Sequence, residues 1–212
     1  MTEAAPIIWL AGATGLVGRA LRAELPGAIA LVRRPQPGAQ TVDYSRPASF
    51  AALPAPQQLY IALGTTMAQA GSQAAFRAAD FDAVLTVARA ARERGATHCA
   101  LVSALGADAR SRVFYNRVKG EAEEAVIALG FERLVIARPS LLDGAREALG
   151  QPSRAGEAWA LRLTRPLAPL IPPRWRPISP QRIARALHLA LAQRGPAVEV
   201  MESAALQTLG AP

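Results

Sequence analysis

The chain has 212 residues, 51% of them hydrophobic and 19% charged, which is enough to bury one full core and short enough for one domain. Its single cysteine, Cys99, excludes an intramolecular disulfide and therefore a disulfide-stapled secreted scaffold. We expect a cytoplasmic location, and no apolar run is long enough to predict a membrane span.

The formal net charge of +8 raises the question of nucleic-acid binding. The basic residues are scattered singly or in pairs along the whole chain, which favours a solvated basic surface and predicts no specific nucleic-acid partner. Of the 24 basic residues, Lys119 is the only lysine. Because arginine is accepted at every other basic position, the ammonium at residue 119 calls for a chemical explanation.

Short apolar runs alternate with helical patterns along the first two thirds of the chain. Strands are predicted over residues 7–11, 28–32, 57–63, 98–102 and 133–137. Helical patterns cover residues 19–25, 73–94 and 114–129. In the second of these, Phe76 and Val84 share an apolar face, and Asp80 is expected to point elsewhere. The alternation predicts an α/β fold, a doubly wound parallel sheet with helices on both faces.

After Pro139 the composition shifts to proline and arginine. Residues 166–177 contain too many prolines for a continuous helix and are expected to be irregular and to cover the active-site cleft. A helix over residues 180–193 and a strand over 197–201 then close the fold. We expect a single domain, 1–212, with a cofactor-binding core over 1–139 and a small substrate-side region over 140–212.

A glycine turn follows the first predicted strand and opens the first helix. Gly12, Gly15 and Gly18 have the spacing that allows a sharp turn, close approach of a pyrophosphate, and packing of a helix on a strand. Backbone N–H groups at the helix start would then receive the phosphates. Three glycines also occur in ordinary tight turns, but the strand before them and the helix after them favour cofactor binding. The intervening Thr14, Leu16 and Val17 belong to the predicted site.

The second predicted strand ends in arginine rather than in the carboxylate that NAD-binding proteins usually offer to the ribose. Arg33 and Arg34 would attract a 2′-phosphate, so NADPH is the predicted cofactor. Arg19 is a further candidate for phosphate contact. For Arg34 and Arg19, simple solvent exposure is the alternative.

The third predicted strand is followed by Leu63, Gly64, Thr65 and Thr66, where the sheet order is expected to reverse. Ligands of doubly wound folds lie across that crevice, so these residues are predicted to contact the cofactor ribose. A helix-capping turn is the alternative, chiefly for Thr66.

The candidate catalytic residues are Ser103, Tyr115 and Lys119. Ser103 ends an apolar strand, and the other two lie four residues apart on one face of the next helix. A phenol with an ordinary pKa near 10 is a poor proton donor at neutral pH, and a neighbouring ammonium makes it more acidic. The alternative is an ordinary surface pair, which the rarity of tyrosine and lysine in this chain disfavours.

Taken together, the motifs resemble those of the atypical short-chain dehydrogenases, most of all the branch of the HIV Tat-interacting oxidoreductases. The resemblance covers roughly residues 7–160. The motifs that carry it are 12–18, 63–66, 102–108, Tyr115 with 119–121, and Arg138, Pro139 and Ser140. The sequence departs from the family at Ala104, where a second serine is frequent, and lacks a recognisable fourth catalytic residue, an asparagine.

The resemblance implies a Rossmann fold, NADPH, a Ser-Tyr-Lys site, and a nicotinamide pocket bordered by the backbone of residues 138–140. The expected function is reduction of a small carbonyl compound, with Tyr115 as proton donor. The alternative is a non-catalytic NADPH-binding sensor or regulatory adaptor. The oligomeric state is left open, with a homodimer among the alternatives. His98, Cys99 and His188 lack metal-ligand spacing, so no metal site is predicted.

Overall fold

A computed structural model of the chain describes residues 5–143 and 172–211. Seven parallel strands of this part form one sheet in the order β3-β2-β1-β4-β5-β6-β7. They are β1 Ile8–Ala11, β2 Ile29–Val32, β3 Gln40–Thr41, β4 Gln58–Ile61, β5 His98–Val102, β6 Arg133–Arg138 and β7 Val198–Glu202. The doubly wound parallel sheet predicted from the sequence is thereby confirmed.

Helices cover both faces of the sheet. They are α1 Leu16–Glu24, α2 Met67–Ala70, α3 Gln73–Arg77, α4 Ala83–Glu93, α5 Phe114–Ile127, α6 Pro180–Ala192 and α7 Ser203–Leu209. Short 3-10 turns span Pro47–Phe50 and Pro173–Trp175. Among the residues that the structure describes, no helix has the length and apolar character needed to cross a membrane.

Each face of the sheet carries its own buried apolar cluster, because successive residues of a strand point to opposite faces. Trp9 and Ile61 pack with the residues of α4 and α5 on one face. Leu10 and Tyr60 pack on the other face with those of α1, α6 and α7. Strands buried on both faces explain why the sequence shows apolar runs rather than alternation.

The sheet order reverses between β1 and β4. From β1 the chain builds outward to β2 and β3 on one side, and then returns to place β4 on the other side of β1. The loops that follow β1 and β4 therefore diverge at this point and leave a crevice at the carboxyl ends of the strands. The glycine turn follows β1 and residues 63–66 follow β4, so both segments lie at these two strand ends.

The structure differs from the expectations in the second helical region. Residues 73–93 form one continuous helical run, but Ala78–Asp82 within it is a π-helical segment between α3 and α4. A π turn holds an extra residue and often occurs at functional sites. β3 and α7 were not predicted, since both are short. Of the expected irregular segment 166–177, residues up to 171 lie outside the described part.

Candidate active site

The three glycines of the turn have different surroundings. Gly12 has a φ of +86°, and a β-carbon there would lie 2.4 Å from the carbonyl carbon of Ala62. A β-carbon at Gly18 would lie 1.9 Å from the carbonyl oxygen of Gly12, so α1 packs directly on the turn. At Gly15 the nearest atom would be 3.5 Å away. The protein therefore leaves the surface at Gly15 open, where a pyrophosphate would approach.

The N-terminus of α1 is uncapped. Gly15 is the N-cap residue and provides no side chain to the first N–H groups, and the first turn contains no acidic residue. Backbone N–H groups without partners and the positive end of the helix dipole form a site for an anion. Arg19, expected nearby, is exposed and donates from Nη1 to the carbonyl oxygen of Thr14 at 3.1 Å.

The two arginines after β2 have different surroundings. Both are exposed, but Arg33 lines a cleft of about 510 Å³ together with Tyr44, Gly64 and Thr65, whereas Arg34 does not line it. Tyr44 was missed by sequence reasoning. Its hydroxyl donates to the carbonyl oxygen of Leu31 at 2.9 Å, and the Gly12 N–H donates to it in turn. Burial is the main cause that raises the pKa of Tyr44, so its phenol stays protonated and ties β2 to the glycine turn.

The loop after β4 divides into two parts. Thr66 is the N-cap of α2 and forms a reciprocal capping box with Gln69. Thr66 therefore has the helix-capping role that the sequence analysis gave as the alternative to cofactor contact. The N–H of Thr65 donates to Oδ2 of Asp80 at 2.9 Å. Leu63, Gly64 and Thr65 line the cleft, whereas Thr66 does not.

Lys119 is buried and contacts a residue that the sequence analysis placed elsewhere. Its Nζ lies 2.7 Å from Oδ1 of Asp80 as an ion pair, and the side chains are 8% and 0% exposed. A β-carbon at Gly64 would lie 3.5 Å from the same nitrogen. The only lysine therefore lies beside the crevice loop. The expectation that Asp80 points away from the apolar face is wrong, and its spacing of four from Phe76 and from Val84 is the signal that would have placed it there.

Tyr115 is half-buried in the first turn of α5. Its ring lies 5.3 Å from that of Phe76, which is fully buried on α3. Phe76 also packs edge-on against Phe114 at 5.9 Å. These aromatic contacts fix the position of the tyrosine ring on the side of the sheet where Lys119 also lies.

Ser103 lies directly after β5 and is 7% exposed. Its N–H donates to the carbonyl oxygen of Ala137 at 2.8 Å, but its Oγ has no hydrogen-bond partner among the described residues. Leaving a buried hydroxyl without a partner costs free energy. A ligand oxygen would satisfy this group.

The segment after β6 is held by its own contacts. The guanidinium of Arg138 pairs with Glu123 at 2.6 Å and with Glu202 at 3.3 Å, and the Glu123 hydrogen bonds raise the pKa of Arg138 further. Pro139 accepts a hydrogen bond from the N–H of Leu105 at 2.9 Å. The hydroxyl of Ser140 donates to the carbonyl oxygen of Arg176. Only the backbone of this segment remains a candidate for cofactor contact.

The fold and the site define a doubly wound α/β protein with a glycine turn at its switch point, and solved structures share this fold. UDP-N-acetylglucosamine 4-epimerase from Bacillus cereus matches with a TM-score of 0.71 and 14% identity, over 93% of this chain and 79% of that one. dTDP-4-dehydrorhamnose reductase from Bacillus anthracis, in complex with NADP, matches with a TM-score of 0.65 and 14% identity, over 95% and 76%. The chain has the Rossmann-type fold of NAD-binding domains.

Sequence relatives identify the family. The chain is 40% identical over 148 residues to the mitochondrial protein FMP52 of Eremothecium gossypii, which is 64% of this chain and 66% of that protein. It is 36% identical over 157 residues to the mitochondrial protein fmp52 of Aspergillus clavatus, 65% of this chain and 67% of that protein. The chain belongs to the FMP52 family and spans about two thirds of the length of these relatives. No protein-family model matches it.

These relatives correct the expected location. Their names place them in mitochondria, which contradicts the cytoplasmic expectation. That expectation rested on a single cysteine, and cysteine content does not distinguish one reducing compartment from another. The relatives carry the FMP52 name, so a place in the HIV Tat-interacting branch is not shown.

Proposed function

We propose that the protein is an NADPH-dependent oxidoreductase of the short-chain dehydrogenase type that reduces a small carbonyl compound. The observation that carries the proposal is the burial of the only lysine beside the crevice loop, one helical turn after Tyr115. Burying an ammonium is costly even when it is paired, and buried charges beside a cleft are candidate functional groups. The buried hydroxyl of Ser103, which lacks a partner among the described residues, gives independent support.

The residues of the crevice fit a dinucleotide. The open surface at Gly15 and the uncapped start of α1 would hold the pyrophosphate, through the N–H groups of Leu16 and Val17. The open cleft beside Gly64 and Thr65 would take a ribose, within reach of Lys119. The backbone of residues 138–140 would border the nicotinamide.

Arg33 supports NADPH over NADH. It lines the cleft after β2, where a 2′-phosphate on the adenosine ribose would lie. A guanidinium binds a phosphate bidentately. None of the described residues that line the cleft carries a carboxylate that would repel the phosphate. Arg33 and Arg34 are both exposed, but only Arg33 is among the residues that line the cleft, so we assign the phosphate contact to Arg33.

When bound, NADPH supplies a hydride for the carbonyl carbon. Tyr115 donates its phenolic proton to the carbonyl oxygen, so the product is an alcohol and the phenolate regains its proton from solvent. Ser103 donates a hydrogen bond to the same oxygen and orients it. Lys119 binds the ribose hydroxyls and stabilises the phenolate. The region after residue 140 would supply the substrate side of the pocket.

Replacing Tyr115 by phenylalanine tests the proposal. We expect Y115F to bind NADPH as the wild type does and to lose at least about a hundredfold in turnover, measured as NADPH oxidation with aldehydes, ketones and quinones. Y60F is the matched control, because Tyr60 is buried in the cluster on the other face of the sheet. If Y115F turns over every compound that the wild type reduces at the wild-type rate, Tyr115 is not the proton donor.

A further inference from the structure

Asp80 is a fully buried carboxylate with two contacts that belong to different parts of the site. Oδ1 pairs with Nζ of Lys119 at 2.7 Å, and Oδ2 accepts the N–H of Thr65 at 2.9 Å. Taking a carboxylate out of water is costly, and these two contacts offset that cost. One side chain therefore links the lysine of α5 to the loop that follows β4.

The helical run 73–93 makes two matching contacts with α5, and Asp80 makes one of them. Phe76 meets Tyr115 and Asp80 meets Lys119, so side chains four residues apart on one run face side chains four residues apart on the other. The π-helical segment Ala78–Asp82 contains Asp80. The same helical face thus supports both proposed catalytic side chains of α5.

Other charged groups near this face already have partners. Arg77 and Arg117 pair with Glu121 toward the surface, and Glu123 pairs with Arg138. Among the described residues, Asp80 is the carboxylate that contacts Lys119. A lysine side chain has many rotamers, and fixing one of them has an entropic cost. The ion pair fixes the ammonium before any ligand is present.

We propose that Asp80 is a positioning residue, which holds the ammonium of Lys119 against Gly64 so that the dinucleotide binds to a lysine already in place. The inference rests on the proposed function, because it takes Lys119 as a cofactor ligand. Asp80 acts through Lys119 and does not itself contact the cofactor. Its substitution therefore weakens NADPH binding only while Lys119 is present.

A double-mutant cycle measures this dependence. NADPH dissociation constants are determined by fluorescence titration, at physiological salt, for the wild type, D80N, K119M and D80N/K119M. We expect D80N to bind about tenfold more weakly, a change of about 1.4 kcal/mol. K119M should bind at least as weakly as D80N, and the double variant should bind no more weakly than K119M. D82N is the matched control, since it removes one exposed negative charge from the same helical run.

Each result decides between the possibilities. Additive losses, or an affinity of D80N equal to that of D82N and the wild type, would overturn the positioning role and leave the proposed function standing. An unchanged affinity in K119M would overturn the placement of the cofactor and both proposals with it. If Asp80 only stabilised the fold, D80N would lower the melting temperature, but its effect on NADPH affinity would not depend on Lys119. If D80N is too unstable to titrate, D80E replaces it, and its loss of affinity must likewise disappear with K119M.

Discussion

Gly18 lies directly against Gly12, since a β-carbon at residue 18 would come within 1.9 Å of the Gly12 carbonyl oxygen. The contact joins the start of α1 to the turn after β1, backbone to backbone. No side chain fits between them without moving the helix. Gly15, three residues away from each, has no such constraint, because the nearest atom to its β-carbon position is 3.5 Å away.

The variants G18A and G15A should therefore fail in different ways. G18A should lower the free energy of unfolding by about 1–3 kcal/mol or more, because overpacking displaces α1. G15A should keep the fold, since Gly15 has a φ of −73° that alanine adopts, yet lose NADPH affinity as its methyl group meets the pyrophosphate. Urea unfolding and NADPH titration of both proteins check this. Equal stability of the two variants would contradict the packing role of Gly18.

Arg33 and Arg34 form a matched pair for cofactor selection. R33A should bind NADPH about 10- to 100-fold more weakly, the loss expected for a charge-assisted hydrogen bond to phosphate, with NADH affinity unchanged. R34A should change both affinities little, because Arg34 does not line the cleft. Titrations with both dinucleotides measure the ratio. A larger loss in R34A would move the phosphate contact to that residue.

The variant S103A should lose turnover without losing stability. The buried Oγ has no partner among the described residues, so its removal should leave the free energy of unfolding unchanged or raise it. Turnover should fall, because the carbonyl oxygen loses a hydrogen bond. Ser179→Ala is the contrasting control: this serine caps α6 by accepting the N–H of Arg182, and its loss should cost about 1 kcal/mol. A large loss of stability in S103A would indicate a structural hydroxyl instead.

Stability should decline in alkaline solution. Burial raises the pKa of Cys99, Tyr44 and Tyr60, so the folded protein keeps protons that the unfolded chain releases above about pH 9 for the thiol and about pH 10 for the phenols. The unfolded state then binds fewer protons, and the free energy of unfolding falls as pH rises, by about 1.4 kcal/mol per pH unit for each group. Urea unfolding from pH 8 to pH 11 measures the slope. The slope just above about pH 9 should be shallower in C99A than in the wild type. An identical slope would show that the buried thiol does not contribute to it.

The local patterns predicted the sheet, and they also placed most of the proposed site residues along the chain. The glycine turn, the arginine after β2, the serine after β5 and the tyrosine–lysine pair of α5 each lie next to a strand end or a helix start, where the run of neighbouring residues fixes their place. The parallel order of the strands then brings those ends to one edge of the sheet. Residues 144–171, which belong to the expected substrate-side region, lie outside the described part.

Other parts of the site depend on contacts between distant segments. Asp80 has the polarity of a surface residue, and the cost of its burial is offset by the ammonium of α5 and by the N–H of Thr65. Tyr44 follows a two-residue strand that no periodicity reveals, and its role depends on Leu31 and Gly12 meeting around its hydroxyl. The sequence by itself determined which residues stand at the ends of the strands, because apolar periodicity is a local property. The tertiary structure alone decided which charges are buried together, because pairing across the chain sets the cost of removing them from water.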